Sequence, residues 1–191
     1  DRRVLIPRPE TELLAGLAIE LARPIVPERV VVDLGTGSGA IALSCALELP
    51  ITGTTVWATD VSEDALAVTR ANLAGIGRLG ANVRLAHGSW FDALPKDLLG
   101  GIDVVVSNPP YIAPDDPEVA DDVREWEPAG ALFSGQDGLD AIRTIVTDAP
   151  RWLRAGGHLL IEIGHRQGDA VRELLAAVGY EACKRASLKS T

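Results

Sequence analysis

An apolar run cut short by two prolines constrains this chain more than any other feature. Val104-Val105-Val106 runs into Ser107-Asn108-Pro109-Pro110-Tyr111. Proline lacks the N–H donor that a central strand needs, so a strand here must stop at Ser107 or Asn108. Each proline also restricts the residue before it, which keeps the loop extended. The Asn108 side chain, the Pro109 carbonyl and the Tyr111 ring are thereby fixed over the carboxyl edge of a sheet, where open α/β folds bind ligands. Two carbonyl acceptors beside an aromatic face suit a planar NH2 group, with both N–H bonds held and the conjugated plane stacked. An amide or exocyclic amine nitrogen would be gripped in this way.

The remainder alternates helical and extended patterns. Leu13, Leu14, Leu17, Ala18 and Leu21 form one stripe of a helix over residues 10–22, which Pro24 and Pro27 end. Val30-Val31-Val32 reads as a strand, then comes Asp33-Leu34-Gly35-Thr36-Gly37-Ser38-Gly39, then a helix through about Glu48. A strand over 54–59 ends at Asp60, and Ser62 caps a helix to about Ala74 with Glu63 and Asp64 in its first turn. Strands follow at 83–86 and 102–106. The polar, Pro-rich stretch 113–136 is long for a βα loop, and long loops in compact domains are commonly functional. A helix over 139–153 ended by Gly156-Gly157, a strand over 158–163 and a helix over 168–177 complete the pattern. Unbroken apolar strands separated by helices predict an α/β fold, with a mostly parallel sheet covered on both faces.

With 191 residues and no internal repeat, the chain reads as a single domain, of a size that buries roughly 70% of its unfolded surface. Its 18 Lys and Arg face 27 Asp and Glu, a net charge of −9 that argues against direct binding of nucleic acid, which neutralises phosphates with cations. No apolar run approaches the ~20 residues of a membrane span, and the start lacks a signal-peptide pattern, so a cytoplasmic location is expected. Cys45 and Cys183 fall on a predicted helix and strand without metal-ligand spacing, and read as buried free thiols. His87, His158 and His165 show no ligand spacing either, and no metal site is expected. Met is absent even from position 1, so the sequence reads as an excerpt or a processed product.

Gly35-x-Gly37-x-Gly39 follows a strand and opens a helix, where missing side chains and free N–H groups let a ligand approach the backbone. Followed by Ala40, it also fits the looser dinucleotide pattern, which is weak alone. Asp33 separates the two ligands. Its carboxylate would repel a pyrophosphate, whereas S-adenosylmethionine carries an ammonium and a sulfonium and no phosphate. Asp60, ending the next strand, is placed to accept from ribose hydroxyls. Trp90 follows Gly88-Ser89 where an adenine would lie, and could stack on it or serve as a core residue. Glu162, at the end of the fifth strand, reads as a solvated or helix-facing carboxylate.

In these features together the chain resembles the protein glutamine N5-methyltransferases that modify peptide chain release factors, the PrmC/HemK family. The resemblance runs through Ile6-Pro7-Arg8-Pro9-Glu10-Thr11-Glu12, residues 33–39, Trp90-Phe91 and Ser107-Asn108-Pro109-Pro110-Tyr111-Ile112. It continues in Glu127-Pro128, Gly135-x-Asp137-Gly138-Leu139 and Glu162-Ile163-Gly164-x-x-Gln167. The lead motif is far more specific than Asn-Pro-Pro-Tyr, which adenine-N6 and guanine-N2 methyltransferases share. The resemblance implies a Rossmann-like class I S-adenosylmethionine-dependent methyltransferase fold. By it Gly35, Thr36, Gly37, Ser38, Gly39, Asp60, Trp90 and Asn108 contact S-adenosylmethionine, while Asn108, Pro109, Pro110 and Tyr111 hold a glutamine in a Gly-Gly-Gln loop of a release factor. Residues 1–191 would then be the catalytic domain, without the family's N-terminal helical domain and with an incomplete final strand pair, since residues 180–191 read unlike the family's tail. Competing readings are a nucleic-acid adenine or guanine amino-methyltransferase, a cofactor-binding fragment without turnover, and, least favoured, a dehydrogenase.

Overall fold

A computed structural model of the chain describes residues 2–116 and 126–187. Five strands, β1 (Arg29–Leu34), β2 (Thr54–Asp60), β3 (Val83–His87), β4 (Ile102–Ser107) and β5 (Leu153–Ile161), form one sheet in the order β3-β2-β1-β4-β5. Every pairing is parallel, as strands joined through helices require. Helices α1 (Pro9–Ala22), α2 (Ala40–Glu48), α3 (Glu63–Ile76), α4 (Ala129–Leu132), α5 (Asp140–Trp152) and α6 (Gly168–Ala177) accompany it. This is the parallel sheet that the strand and helix alternation predicts, in the Rossmann-like arrangement that the resemblance implies.

Both faces of the sheet are dry along its central strands, β1 and β4, and the alternation of strand residues sorts them. Val31, Val56, Val104 and Val106 pack with α1 and α2, whereas Val32, Leu34 and Val105 pack with Ile145, Ala149 and Trp152 of α5. Phe91 stacks on Trp152 with ring centroids 5.7 Å apart, which ties the segment after β3 to the α5 face. Because the strand order reverses at β1, the crevice beyond β1 and β4 is the switch point where such sheets receive ligands. The pairing Leu34↔Ser107, reinforced by Ser107 Oγ donating to the Leu34 carbonyl at 2.7 Å, brings the glycine turn and the proline corner side by side.

Three expectations need correction. Gly156-Gly157 lie within β5 rather than ahead of it, at a register irregularity between the pairs Ile102↔Leu153 and Val104↔His158. The regular ladder resumes at His158, so these glycines widen the strand instead of separating it from α5. Cys45 is buried in α2, but Cys183 is exposed and outside any strand, because no strand follows β5 among the described residues. Of the polar stretch 113–136, residues 117–125 lie outside the described residues; the rest contains α4 and an isolated bridge between Ile112 and Phe133. Among the described residues no helix is long and apolar enough to cross a membrane.

Candidate active site

The turn after β1 is held from below. Asp33 is completely buried, and its Oδ2 accepts from Thr36 Oγ1 at 2.7 Å and from the Ala42 N–H at 3.1 Å. Burial pushes its carboxyl up to about 6, against these two bonds, with the Asp60 charge adding to the rise. Asp33 therefore braces the turn and the start of α2 and lines no part of the crevice, which corrects the expectation that it faces a cationic ligand. Gly39 is likewise a packing residue. It begins α2 with φ +85°, and a Cβ there would come within 2.9 Å of Thr69 Cγ2. Gly37 has φ +57°, lines the crevice, and a Cβ on it would meet nothing within 4 Å.

Two cavities open beyond the sheet. The larger, about 340 Å³, is lined by Gly35, Thr36, Gly37, Ser38, Asp60, Trp90, Asn108 and Pro110, joined by Val4, Leu5 and Thr11 from the lead. Asp60 uses one oxygen to accept the Gly37 N–H and the other to accept the Ser62 N–H, both at 2.9 Å. About two of the roughly four acceptor positions of a carboxylate remain for a ligand. Trp90 sits at φ +45°, a conformation that an aromatic residue rarely adopts, with its ring against the Gly35 position. Strain of this kind concentrates at ligand sites.

The smaller cavity, about 80 Å³, is lined by Asn108, Pro109, Tyr111, Arg8, Glu127 and Glu162 among others. Asn108, together with Leu5 and Ala131, lines both cavities. Its Nδ2 donates to Thr11 Oγ1 at 3.3 Å, and its Oδ1 is buried without a hydrogen-bond partner. The loop is fastened beyond it, because Gln167 Nε2 donates to the Tyr111 carbonyl at 2.9 Å while Gln167 Oε1 accepts from the Gly164 N–H at 2.9 Å. Of the two readings of Glu162, solvated or helix-facing, the structure excludes the first. The residue is half-buried, Tyr111 Oη donates to its Oε1 at 3.3 Å, and burial raises its pKa, opposed by Tyr111 and Asn108 and aided by Glu10. Burial and the Glu162 charge push the Tyr111 hydroxyl up to about 12, so it stays protonated as a donor.

The lead motif, whose specificity lay in its sequence alone, acquires a physical role. Pro9 occupies the first turn of α1, and the Arg8 N–H donates to Thr11 Oγ1 at 3.3 Å. Arg8 then pairs with Glu127 at 2.8 Å, and Arg2 lies over the Trp126 ring at 3.8 Å from its centroid. Val4 is buried among Ala65 and Val68 of α3. The lead thus forms part of the crevice wall. Reasoning from residue types missed Thr11, Glu127 and Glu162, and only their places in the shared motifs marked them.

A parallel sheet with its ligand crevice between a glycine turn and a proline corner defines a Rossmann-like class I methyltransferase fold. The chain belongs to the methyltransferase small domain family, whose model matches residues 13–124, more than half of it. It is 49% identical over 185 residues to a release factor glutamine methyltransferase of Gloeobacter violaceus, covering 95% of this chain and 62% of that protein. A relative of the same description from Burkholderia pseudomallei is 47% identical over 191 residues, covering 98% and 65%. The chain thus spans somewhat less than two thirds of these curated relatives. Among solved structures, the hMettl16 catalytic domain in complex with an RNA hairpin (MAT2A 3'UTR hairpin 6) superposes with a TM-score of 0.65 at 17% identity, over 94% of this chain and 66% of that one. The SAM-dependent methyltransferase from Agrobacterium tumefaciens gives 0.64 at 16% identity, over 90% and 50%. These two share the fold.

Proposed function

We propose that the protein transfers a methyl group from S-adenosylmethionine to the side-chain amide nitrogen of a glutamine in a peptide chain release factor, within a Gly-Gly-Gln motif. The observation that carries this reading is Asn108, which walls both cavities and presents a buried, unpartnered Oδ1. An acceptor without a donor is costly to bury unless a ligand satisfies it. The names of the relatives support the choice of substrate.

The larger cavity fits the cofactor in kind. Open space at Gly37 admits a ligand against the backbone, Asp60 retains acceptor capacity for ribose hydroxyls, and the Trp90 ring offers a flat surface for adenine. When bound, S-adenosylmethionine supplies an electrophilic methyl group on a sulfonium. The protein's task is then to hold a weakly nucleophilic amide nitrogen in line with it. Asn108 Oδ1 and the Pro109 carbonyl accept the two amide N–H bonds, and Tyr111 packs on the amide plane. As the nitrogen attacks, its N–H groups become more acidic, so the acceptors bind the transition state more strongly than the ground state.

Mass spectrometry of an intact release factor, incubated with the protein and labelled S-adenosylmethionine, tests this directly. One added methyl on a glutamine side chain is expected. An unmodified release factor, or label in parallel RNA or DNA samples instead, would overturn the reading. Asn108→Ala should abolish transfer while S-adenosylhomocysteine binding, measured by calorimetry, weakens by no more than about 1–3 kcal/mol.

A further inference from the structure

The two ends of the Asn108 carboxamide differ in chemistry, and only one can accept a hydrogen bond. Thr11 Oγ1 takes the nitrogen on one flank, and Oδ1 is left unpartnered. Glu162 also faces this side chain, one residue beyond β5, in the wall of the smaller cavity. Its backbone N–H donates to the Ser107 carbonyl at 3.0 Å, which ties it to the end of the strand that carries Asn108. Its side chain accepts from Tyr111 Oη through Oε1, while Oε2 is buried with no partner. An ionised carboxylate accepts and never donates. Beside it, a carboxamide is favoured with nitrogen inward and oxygen away, and the Asn108 side chain indeed favours the charged form of Glu162.

We propose that Glu162 is the positioning residue of the proline corner: its carboxylate anchors the Tyr111 hydroxyl and repels the carboxamide oxygen of Asn108, so that Oδ1 is presented to the methyl-accepting nitrogen. This rests on the acceptor reading of Asn108 given above. Glu162 acts through Asn108 and Tyr111 and not on the reacting atoms. The groups facing it are Tyr111 and Asn108 from the corner and Glu10 from α1, with Arg8 and Glu127 in the same cavity wall.

The first arm of the test needs no substrate. In NMR spectra of the full chain, the Asn108 side-chain amide pair is identified by its disappearance in Asn108→Asp. Through an acid titration of the unsubstituted protein, that pair should shift with the same midpoint as the Glu162 side-chain carboxyl carbon. Glu162→Gln should remove the shift and lower kcat by roughly 10²-fold, the order of a small misplacement, while S-adenosylhomocysteine affinity is unchanged. An Asn108 pair that ignores the Glu162 titration overturns the proposal even if the variant fails to fold. Wild-type turnover in a folded Glu162→Gln protein overturns it equally. Linked titration in a protein that methylates no glutamine would support the positioning role and overturn the proposed function, so the two failures are distinct.

Discussion

Gly37 and Gly39 stand two residues apart in one turn, and their surroundings assign them different work. Both have positive φ, which costs an L-residue about 1–2 kcal/mol. Alanine at 39 must in addition displace Thr69 and Leu43, an overpacking that adds about 1–3 kcal/mol. Urea unfolding should therefore find Gly39→Ala the less stable variant, whereas Gly37→Ala should show the greater loss of S-adenosylhomocysteine affinity. Asp33 makes a pH prediction whose sign follows from its raised pKa. The folded state holds the proton more tightly than the unfolded one, so stability falls as pH rises from about 4 to about 6. The shift corresponds to about 3 kcal/mol. Asp33→Asn keeps an oxygen for Thr36 and Ala42, and its stability from urea unfolding should decline less across that window. The sequence displayed Asn108, Asp60 and Trp90 because each lies at or just beyond the end of a strand, at the ligand edge. It misplaced Asp33 and left two readings of Glu162 because the burial of a carboxylate depends on neighbours far along the chain.

At the scale of elements, α3 begins as its sequence dictates. Ser62 Oγ accepts the Ala65 N–H at 3.2 Å, with Glu63 and Asp64 against the positive end of the helix. Ser62→Ala should cost about 1 kcal/mol in thermal or urea unfolding. Because Ser62 also lines the larger cavity, S-adenosylhomocysteine should restore less stability to the variant than to the parent if the cap orders that wall. The central strands β1 and β4 were legible because a strand covered on both faces demands an unbroken apolar run. The bulged start of β5 was not, since Gly156-Gly157 is locally indistinguishable from a helix stop. Four residues of α4 carry no periodicity that a sequence reading could detect; the burial of Leu132 and the bridge from Phe133 to Ile112 fix its place.

Across the whole molecule, residues distant in the chain close around the crevice. The Glu127 side chain is only 7% exposed, and Arg8 supplies its charge partner from 119 positions away. Removing Arg8 leaves that carboxylate without its donor, at a cost of about 1–3 kcal/mol. The double variant Arg8→Ala/Glu127→Gln should recover part of this loss in unfolding experiments, a non-additivity that an exposed pair would not show. The specificity of the lead motif thus has a packing basis that no local pattern could reveal. A last consequence follows from Asn108, which lines a cramped chamber and keeps one oxygen unpartnered. If the Asn108 Oδ1 and the Pro109 carbonyl receive the incoming nitrogen as proposed, this pair of oxygens effectively counts its hydrogens. Once alkylated, that nitrogen can satisfy one oxygen fewer, and the extra carbon must crowd into about 80 Å³. Under the proposed function, such a corner would disfavour a second addition to the same side chain.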